Sequence, residues 1–369
     1  MVHDVVVVGA TVAGLTAARR LAAEGFDVVV LDPNPEGVSV AVGHGMAACA
    51  HSSTVATMSA AYGPEAAREH VDRNLAGLQE IRRVIDAGGV PHAMIPLHDH
   101  SLGVALDREL HRVVELLESA GAGARILQPH ERRLATAGLV SEAIVLDPAS
   151  YGSALARQAA GAGADIRHDL TVTHLQRRDG ATVVTSRPNL AWAREAYSML
   201  AVAVIDTLGV SPWGQLAGIG PAQFVPRVRF VADEVPDVVT LTAGPPVWLI
   251  RPDGDEVVAY GPKCTSATIA GATAELERWV WAQGGRDLRS GRLVIDPSDH
   301  GRPVAGASAI PGGYYARGNG RGELMNGTAS GTYLAALMLG LERAHHRNAL
   351  PMSSRLRARA RGLSRRVGL

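Results

Sequence analysis

The chain has 369 residues, 47% of them hydrophobic, and a formal net charge of +0. That length accommodates two domains, and the charge balance argues against nucleic acid or an anionic membrane as a partner. The two cysteines, Cys49 and Cys264, lie far apart, which excludes a disulfide framework and a cysteine-rich metal centre; no metal site is expected.

Residues 4–32 read as strand, glycine turn, helix, strand. Residues 5–8 are an unbroken valine run, as in a strand buried on both faces. Gly9, Thr11 and Gly14 occupy the three positions of the G-x-G-x-x-G fingerprint, with Val12 and Ala13 at the helix start. Leu15, Ala18 and Leu21 recur at helical spacing, and Gly25 ends the helix. Asp32 closes the second strand where an acid can accept hydrogen bonds from a ribose. The helix N-terminus offers N–H groups and a partial positive charge to a pyrophosphate. Thr11 departs from the fingerprint, but it is small and its hydroxyl can donate. This stretch predicts dinucleotide binding. The chain starts directly in a structural strand and has no long apolar span, so a cytoplasmic protein is expected.

A long glycine-rich loop follows Asp32, which suggests a functional segment. Helices are predicted over residues 64–87 and 106–120, then a charged connection and a short strand over 142–146. Residues 149–162 read as helix, and 165–175, 181–186 and 200–205 as strands. From 225 to 260 short strands with Pro and Gly breaks suggest an antiparallel sheet. A short helix over 276–282 precedes residues 293–295 and 303–304, which are expected to return to the first domain. A glycine-rich stretch, 312–322, leads into a final helix over 328–343. The arginine-rich tail, 355–366, reads as a solvated terminus.

Four segments, in order, resemble the D-amino acid oxidase and glycine oxidase superfamily of flavoproteins. They are the opening fingerprint, LDP with the helix SYGSALARQAAGAGADI and then Val172, the strand AVAVIDTLGVSPWG, and HGRPVAGASAIPGGYYARGNGRGELMNGTASGTYLAAL. The resemblance implies an α/β fold: a Rossmann-like FAD-binding domain, discontinuous over 1–45, 142–215 and 296–369. An inserted α+β substrate domain, built on an antiparallel sheet, would take 46–141 and 216–295. It also implies oxidation of a C–N bond of an amine or amino-acid-derived substrate by hydride transfer to FAD, with O2 or another electron acceptor to follow.

By the same resemblance Ser39, Gly45 and Met46 fall beside the flavin, Val172 near the adenine side, Gly209 and Trp213 along the cofactor, and Gly318, Asn319 and Gly322 in the turn facing the ring. His44 is a candidate for a flavin-facing base or covalent anchor, or a loop histidine without chemistry. Tyr314 and Tyr315 are candidates for the pocket wall or for the core. Arg321 would lie by the flavin pyrimidine, and Lys263 is a candidate for promoting O2 reduction. Relatives carry a carboxylate-binding Arg where this chain has Ile295 and Asp296, with Arg302 on a different register. His300 and Asn319 replace a usual Asp and His. These departures disfavour a simple α-amino acid and favour an amine, a tethered amino acid or a cationic compound. An FAD monooxygenase and a degenerate flavin-fold scaffold remain the alternatives.

Overall fold

Successive valines of the first strand, β1 (Val2–Val8), point to opposite faces of a sheet, and both faces are covered. In the computed structural model the described residues are 2–36, 43–49, 51–103, 107–132, 134, 136–189, 195–210, 222–296, 303–308 and 310–341.

In chain order, β1 is followed by α1 (Val12–Ala23), β2 (Val28–Leu31), β3 (Met46–Ala48), α2 (Ser52–Tyr62), α3 (Pro64–Gly88), β4 (His92–Asp99) and α4 (Asp107–Ser119). Then come β5 (Arg125–Ile126), β6 (Leu139–Leu146), α5 (Pro148–Gly161), β7 (Asp165–Arg167), β8 (Leu170–Arg178), β9 (Ala181–Pro188) and β10 (Tyr197–Asp206). The chain continues with β11 (Gln223–Val231), β12 (Val239–Leu241), β13 (Leu249–Asp253), β14 (Glu256–Tyr260), α6 (Ile269–Ala282), β15 (Arg286–Ile295), β16 (Val304–Ala307), β17 (Gly313–Arg317) and α7 (Glu323–Leu339).

The first sheet runs β16-β17-β10-β1-β2-β7, and its inner pairs are parallel. Val5 and Val7 pack beneath α1, α5 and α7, whereas Val6 and Val8 pack beneath the β8–β9 hairpin. A period of two applied to a doubly covered strand therefore requires valine at every position. The second sheet runs β15-β11-β14-β13-β12-β4-β6-β3 and is antiparallel except where β12 meets β4. Helix α6 covers one of its faces through Leu276 and Val280.

Several expected boundaries move. The start at 142 falls inside β6, which pairs with β3 and β4 in the second sheet. Residues 293–295 end β15, which pairs with β11 at the edge of that sheet instead of returning to the first domain. The latter half of α3 joins the first core through Ile81, Val84 and Ile85, so this helix is shared between the two halves. The loop expected after Asp32, over residues 33–53, contains β3 and the start of α2. Among the described residues no helix is long and apolar enough to cross a membrane.

Candidate active site

The first turn is built for close backbone approach. Gly9 has φ +100, a conformation open to glycine, and a Cβ there would lie 2.6 Å from Leu208 Cγ. A Cβ on Gly14 would lie 2.3 Å from the Gly9 carbonyl oxygen, so any side chain would push α1 off the turn. Thr11 is the N-cap of α1: its Oγ1 accepts from the Gly14 N–H at 3.1 Å. The departure from the fingerprint thus satisfies one helix N–H. Val12 and Ala13, both buried, occupy the first turn, where N–H groups lack intrahelical partners.

Asp32 is 2% exposed. Its Oδ1 accepts from the Ala10 N–H at 3.4 Å, while Oδ2 has no hydrogen bond and lies 3.6 Å from His168 Nδ1. Burial raises its pKa, against the Ala10 N–H and the His168 charge. An orphaned buried acceptor fits a ribose hydroxyl donor. With the tight Gly9 turn and the capped helix start, these residues fit a dinucleotide. The hairpin strand β8 begins alongside, Leu170 N donating to the Asp32 carbonyl at 2.9 Å, and Val172 is buried two residues further on.

The turn after β10 is tied to the turn after β1. Thr207 Oγ1 donates to the Val8 carbonyl at 2.8 Å, and Asp206 Oδ1 accepts from the Leu208 and Gly209 N–H groups at 3.0 and 2.8 Å. A Cβ on Gly209, the glycine expected along the cofactor, would fall 1.5 Å from Arg317 Nη1, so this glycine leaves room for a guanidinium.

A cavity lies where the turn after β17 meets β3, α2, α3 and the segment after β14. Gly318, at φ +71, turns the chain into Asn319 and the short helical turn Gly320–Gly322. Asn319 is 5% exposed; its Oδ1 accepts from Ser330 Oγ at 3.3 Å and its carbonyl from Asn326 Nδ2 at 2.9 Å. A Cβ on Gly322 would lie 2.9 Å from that same Asn326 Nδ2. Gly45, at φ +68, leads into Met46, and a Cβ there would lie 2.5 Å from the Leu146 carbonyl. Met46, Asn319, Arg321 and Gly322 all line the cavity.

Arg321 starts from the first domain's turn but lays its guanidinium 3.7 Å over the ring of Trp248, at the entry to β13. Burial pulls its pKa down to about 9. Lys263 lines the same cavity, its pKa lowered by burial and then by Arg321. The residue before α2 contributes His51, and α3 contributes His70 and Asn74, one helical turn apart with Nε2 and Nδ2 at 3.2 Å. Among the described lining residues there is no Asp or Glu.

Other expected site residues lie elsewhere. His44 is 2% exposed, its ring packed 5.4 Å from Trp248 and 6.0 Å from Tyr260, and it does not line the cavity. Burial, then the charges of His51, Arg251 and Arg321, lower its pKa and keep it neutral. Its backbone carbonyl accepts from Arg251 Nε at 2.7 Å, so its position anchors the loop to the second sheet. Tyr314 belongs to the first core, and Tyr315 faces Gly306 within the sheet; neither lines the cavity. Asp296 does not line it either, because Arg317 holds the carboxylate. Ser39, Trp213 and Arg302 lie outside the described residues.

Sequence reasoning missed His51, His70, Asn74 and Trp248. His70 and Asn74 left a signal, two polar side chains at i and i+4 beside the apolar face of α3; His51 and Trp248 left none.

The family model for FAD dependent oxidoreductase (DAO) matches residues 4–337. A glycine oxidase from Bacillus cereus superimposes with a TM-score of 0.66 at 18% identity, covering 95% of this chain and 98% of that one. The L-proline dehydrogenase from P. horikoshii gives 0.72 at 12% identity, with 93% and 94% covered. An iminodiacetate oxidase from Chelativorans sp. gives 0.68 at 18%, with 94% and 99% covered. A search of curated protein sequences returns no match.

Proposed function

We propose that this chain, which belongs to the FAD dependent oxidoreductase (DAO) family, oxidises the C–N bond of a small amine that also carries an anionic group, a carboxylate in the simplest case. The observation that carries this reading is the pair Arg321 and Lys263 on a cavity wall without a described carboxylate. Two cations lining one cavity, Arg321 half-buried and Lys263 exposed at its edge, are best neutralised by an anionic ligand. The names of the neighbours agree in class: glycine, proline and iminodiacetate are all amines bearing carboxylates. The expectation of a cationic substrate rested partly on Asp296, which Arg317 already pairs.

The Gly9–Gly14 turn and the first turn of α1 would hold the pyrophosphate of FAD, and Asp32 its ribose. Gly45, Met46 and the Gly318–Gly322 turn would lie along its ring. Bound FAD supplies the two-electron acceptor for a hydride from the carbon next to nitrogen. Arg321 is aimed by its stacking on Trp248, a rigid platform from the second sheet. Lys263 offers a second, rotatable donor. Together they fix the anionic end, so that rotation about one bond brings the amine-bearing carbon into place. O2 or another acceptor would then complete the cycle.

The test is anaerobic. The bound nucleotide is released and identified by mass, and the holoenzyme is titrated with glycine, sarcosine and proline and with their methyl esters. Bleaching of the flavin, faster with the free acids, is expected. Bleaching by esters in preference to acids refutes the anionic substrate.

A further inference from the structure

The cavity is lined by a histidine with a fixed carboxylate near it. His51 is the N-cap residue of α2, with extended backbone (φ −98, ψ 133) and no side-chain capping bond. Its carbonyl accepts from Val55 N at 3.0 Å, so the backbone alone starts the helix and the ring is committed elsewhere. That ring lines the cavity, 5.8 Å from the ring of Trp248, the same residue that carries Arg321.

Behind it stands Asp99, the last residue of β4 and 0% exposed. Asp99 Oδ2 accepts from the Ser52 N–H at 2.6 Å and Oδ1 from the Ser101 N–H at 2.8 Å. Two backbone donors hold this carboxylate in place. It takes over the capping that His51 does not provide, and its charge acts on the His51 ring.

We propose that His51 is the proton acceptor that converts the bound substrate ammonium to the free amine before oxidation. This rests on the reading of the cavity as the site of C–N oxidation. A primary or secondary amine is largely protonated at neutral pH, and its carbon cannot release a hydride while the nitrogen lone pair is bound to a proton. In the step, one N–H bond of R–NH3⁺ breaks, its electron pair stays on nitrogen, and the proton bonds to the imidazole. Asp99 stabilises the resulting imidazolium. With its lone pair free, the nitrogen could form the C=N bond as the C–H electron pair leaves, for which bound FAD would supply the hydride acceptor.

The alternatives on the cavity wall are poorer. Arg321 and Lys263 are cations, and His70 Nε2 already lies against Asn74 Nδ2 at 3.2 Å. Charges and titratable groups face His51 from several elements: Asp99 from β4, Arg321 from the turn before α7, and His44 from the segment before β3. Burial and Arg321 favour its neutral form, while Asp99 favours the cation. Burial, the largest influence, leaves the ring neutral and able to accept a proton, and Asp99 favours the imidazolium once it forms.

The experiment measures the anaerobic rate of flavin reduction by glycine and proline between pH 6 and 10 in wild-type holoenzyme and in His51→Gln. The wild-type rate should fall on the acid side, as the imidazole becomes protonated and can no longer accept the substrate proton. In His51→Gln the rate at pH 7 should drop on the order of 100-fold. It should then recover to within a few-fold as the pH passes the pKa of the substrate amine itself. A purely structural role would not produce recovery with pH. A second reading needs no turnover: benzoate binding, followed by the flavin spectrum, should tighten as the pH falls through the wild-type pKa and should lose that dependence in His51→Gln. Wild-type reduction with an unchanged profile in His51→Gln, or a benzoate pH dependence that persists there, overturns the proposal alone. Failure of every amine to reduce the wild-type flavin overturns it together with the function it rests on.

Discussion

Arg317 clamps Asp296 with two hydrogen bonds, Nε to Oδ2 at 2.5 Å and Nη2 to Oδ1 at 2.9 Å, and the Gly318 N–H adds a third to Oδ2 at 2.9 Å. Burial opposes the charge on Arg317, but the bonds and charge of Asp296, together with the charge of Asp206, outweigh it and raise the pKa. The pair fastens the end of β15 to the end of β17, one from each sheet. Its role is to join the two halves of the molecule at the edge of the cavity.

Asp296→Asn should therefore act on stability and leave substrate preference alone. Losing one partner of a half-buried bidentate pair should cost about 1–3 kcal/mol. Urea denaturation of the holoenzyme measures this as a lower midpoint at unchanged slope. The ratio of flavin reduction rates for a free acid and its methyl ester should not change. A shift of that ratio would mean that Asp296 faces the substrate.

Arg321→Gln should do the reverse. Removing a charge-assisted contact to a carboxylate should cost about 1.5–3 kcal/mol, or roughly tenfold to more than hundredfold in apparent affinity for the free acid. The ester should be little affected, so the preference collapses. Arg321→Lys should recover only part, because an ammonium keeps the charge but not the planar fork or the stacking on Trp248. Steady-state KM for acid and ester in the two variants is the measurement.

The first 32 residues were legible because one periodicity explains them. A valine run, a fingerprint and a closing acid each have one local cause, and the structure gives each its place. The second sheet was legible only as a class. β4, with a Pro inside and His98 and His100 at its end, lacks an alternating apolar pattern, because β12 and β6 flank it and its first residues are exposed. The cavity was least legible. His51 and Trp248 are nearly two hundred residues apart, and no local spacing records their meeting. Asp296 misled because proximity in an aligned motif says nothing of a partner 21 residues on.

Thr11 and Asp32 should separate helix stability from cofactor retention. Thr11→Ala removes the cap on Gly14 N and should lower stability by about 1 kcal/mol while FAD stays bound. Asp32→Ala removes the orphaned acceptor and should weaken FAD by about 1–3 kcal/mol, tenfold to hundredfold. Dialysis followed by the 450 nm region of the flavin spectrum distinguishes them. Full flavin retention in Asp32→Ala would remove this residue from the cofactor site.

Glu323 should make stability depend on pH. It is the first residue of α7, where the helix N-terminus favours a carboxylate. Burial nevertheless pushes its pKa up to about 7, helped by the neighbouring charge of Asp296 and opposed by the Asn319 amide. In the unfolded chain the same group titrates near its ordinary value of 4.5. Between these two values the folded protein holds a proton that the unfolded chain has released. Stability contributed by the neutral carboxyl is therefore complete below about pH 4.5, falls as pH rises, and is lost above about pH 7. Glu323→Gln keeps the shape of the neutral form and cannot ionise. Its melting temperature should equal the wild-type value near pH 4.5 and exceed it increasingly up to pH 7, with a constant gap beyond. Thermal scans of both holoproteins at half-unit steps from pH 4.5 to 8.5 provide the check. A gap that is constant across the whole range, or one that opens on the acid side, would show that burial does not raise the pKa of this carboxyl in the folded protein.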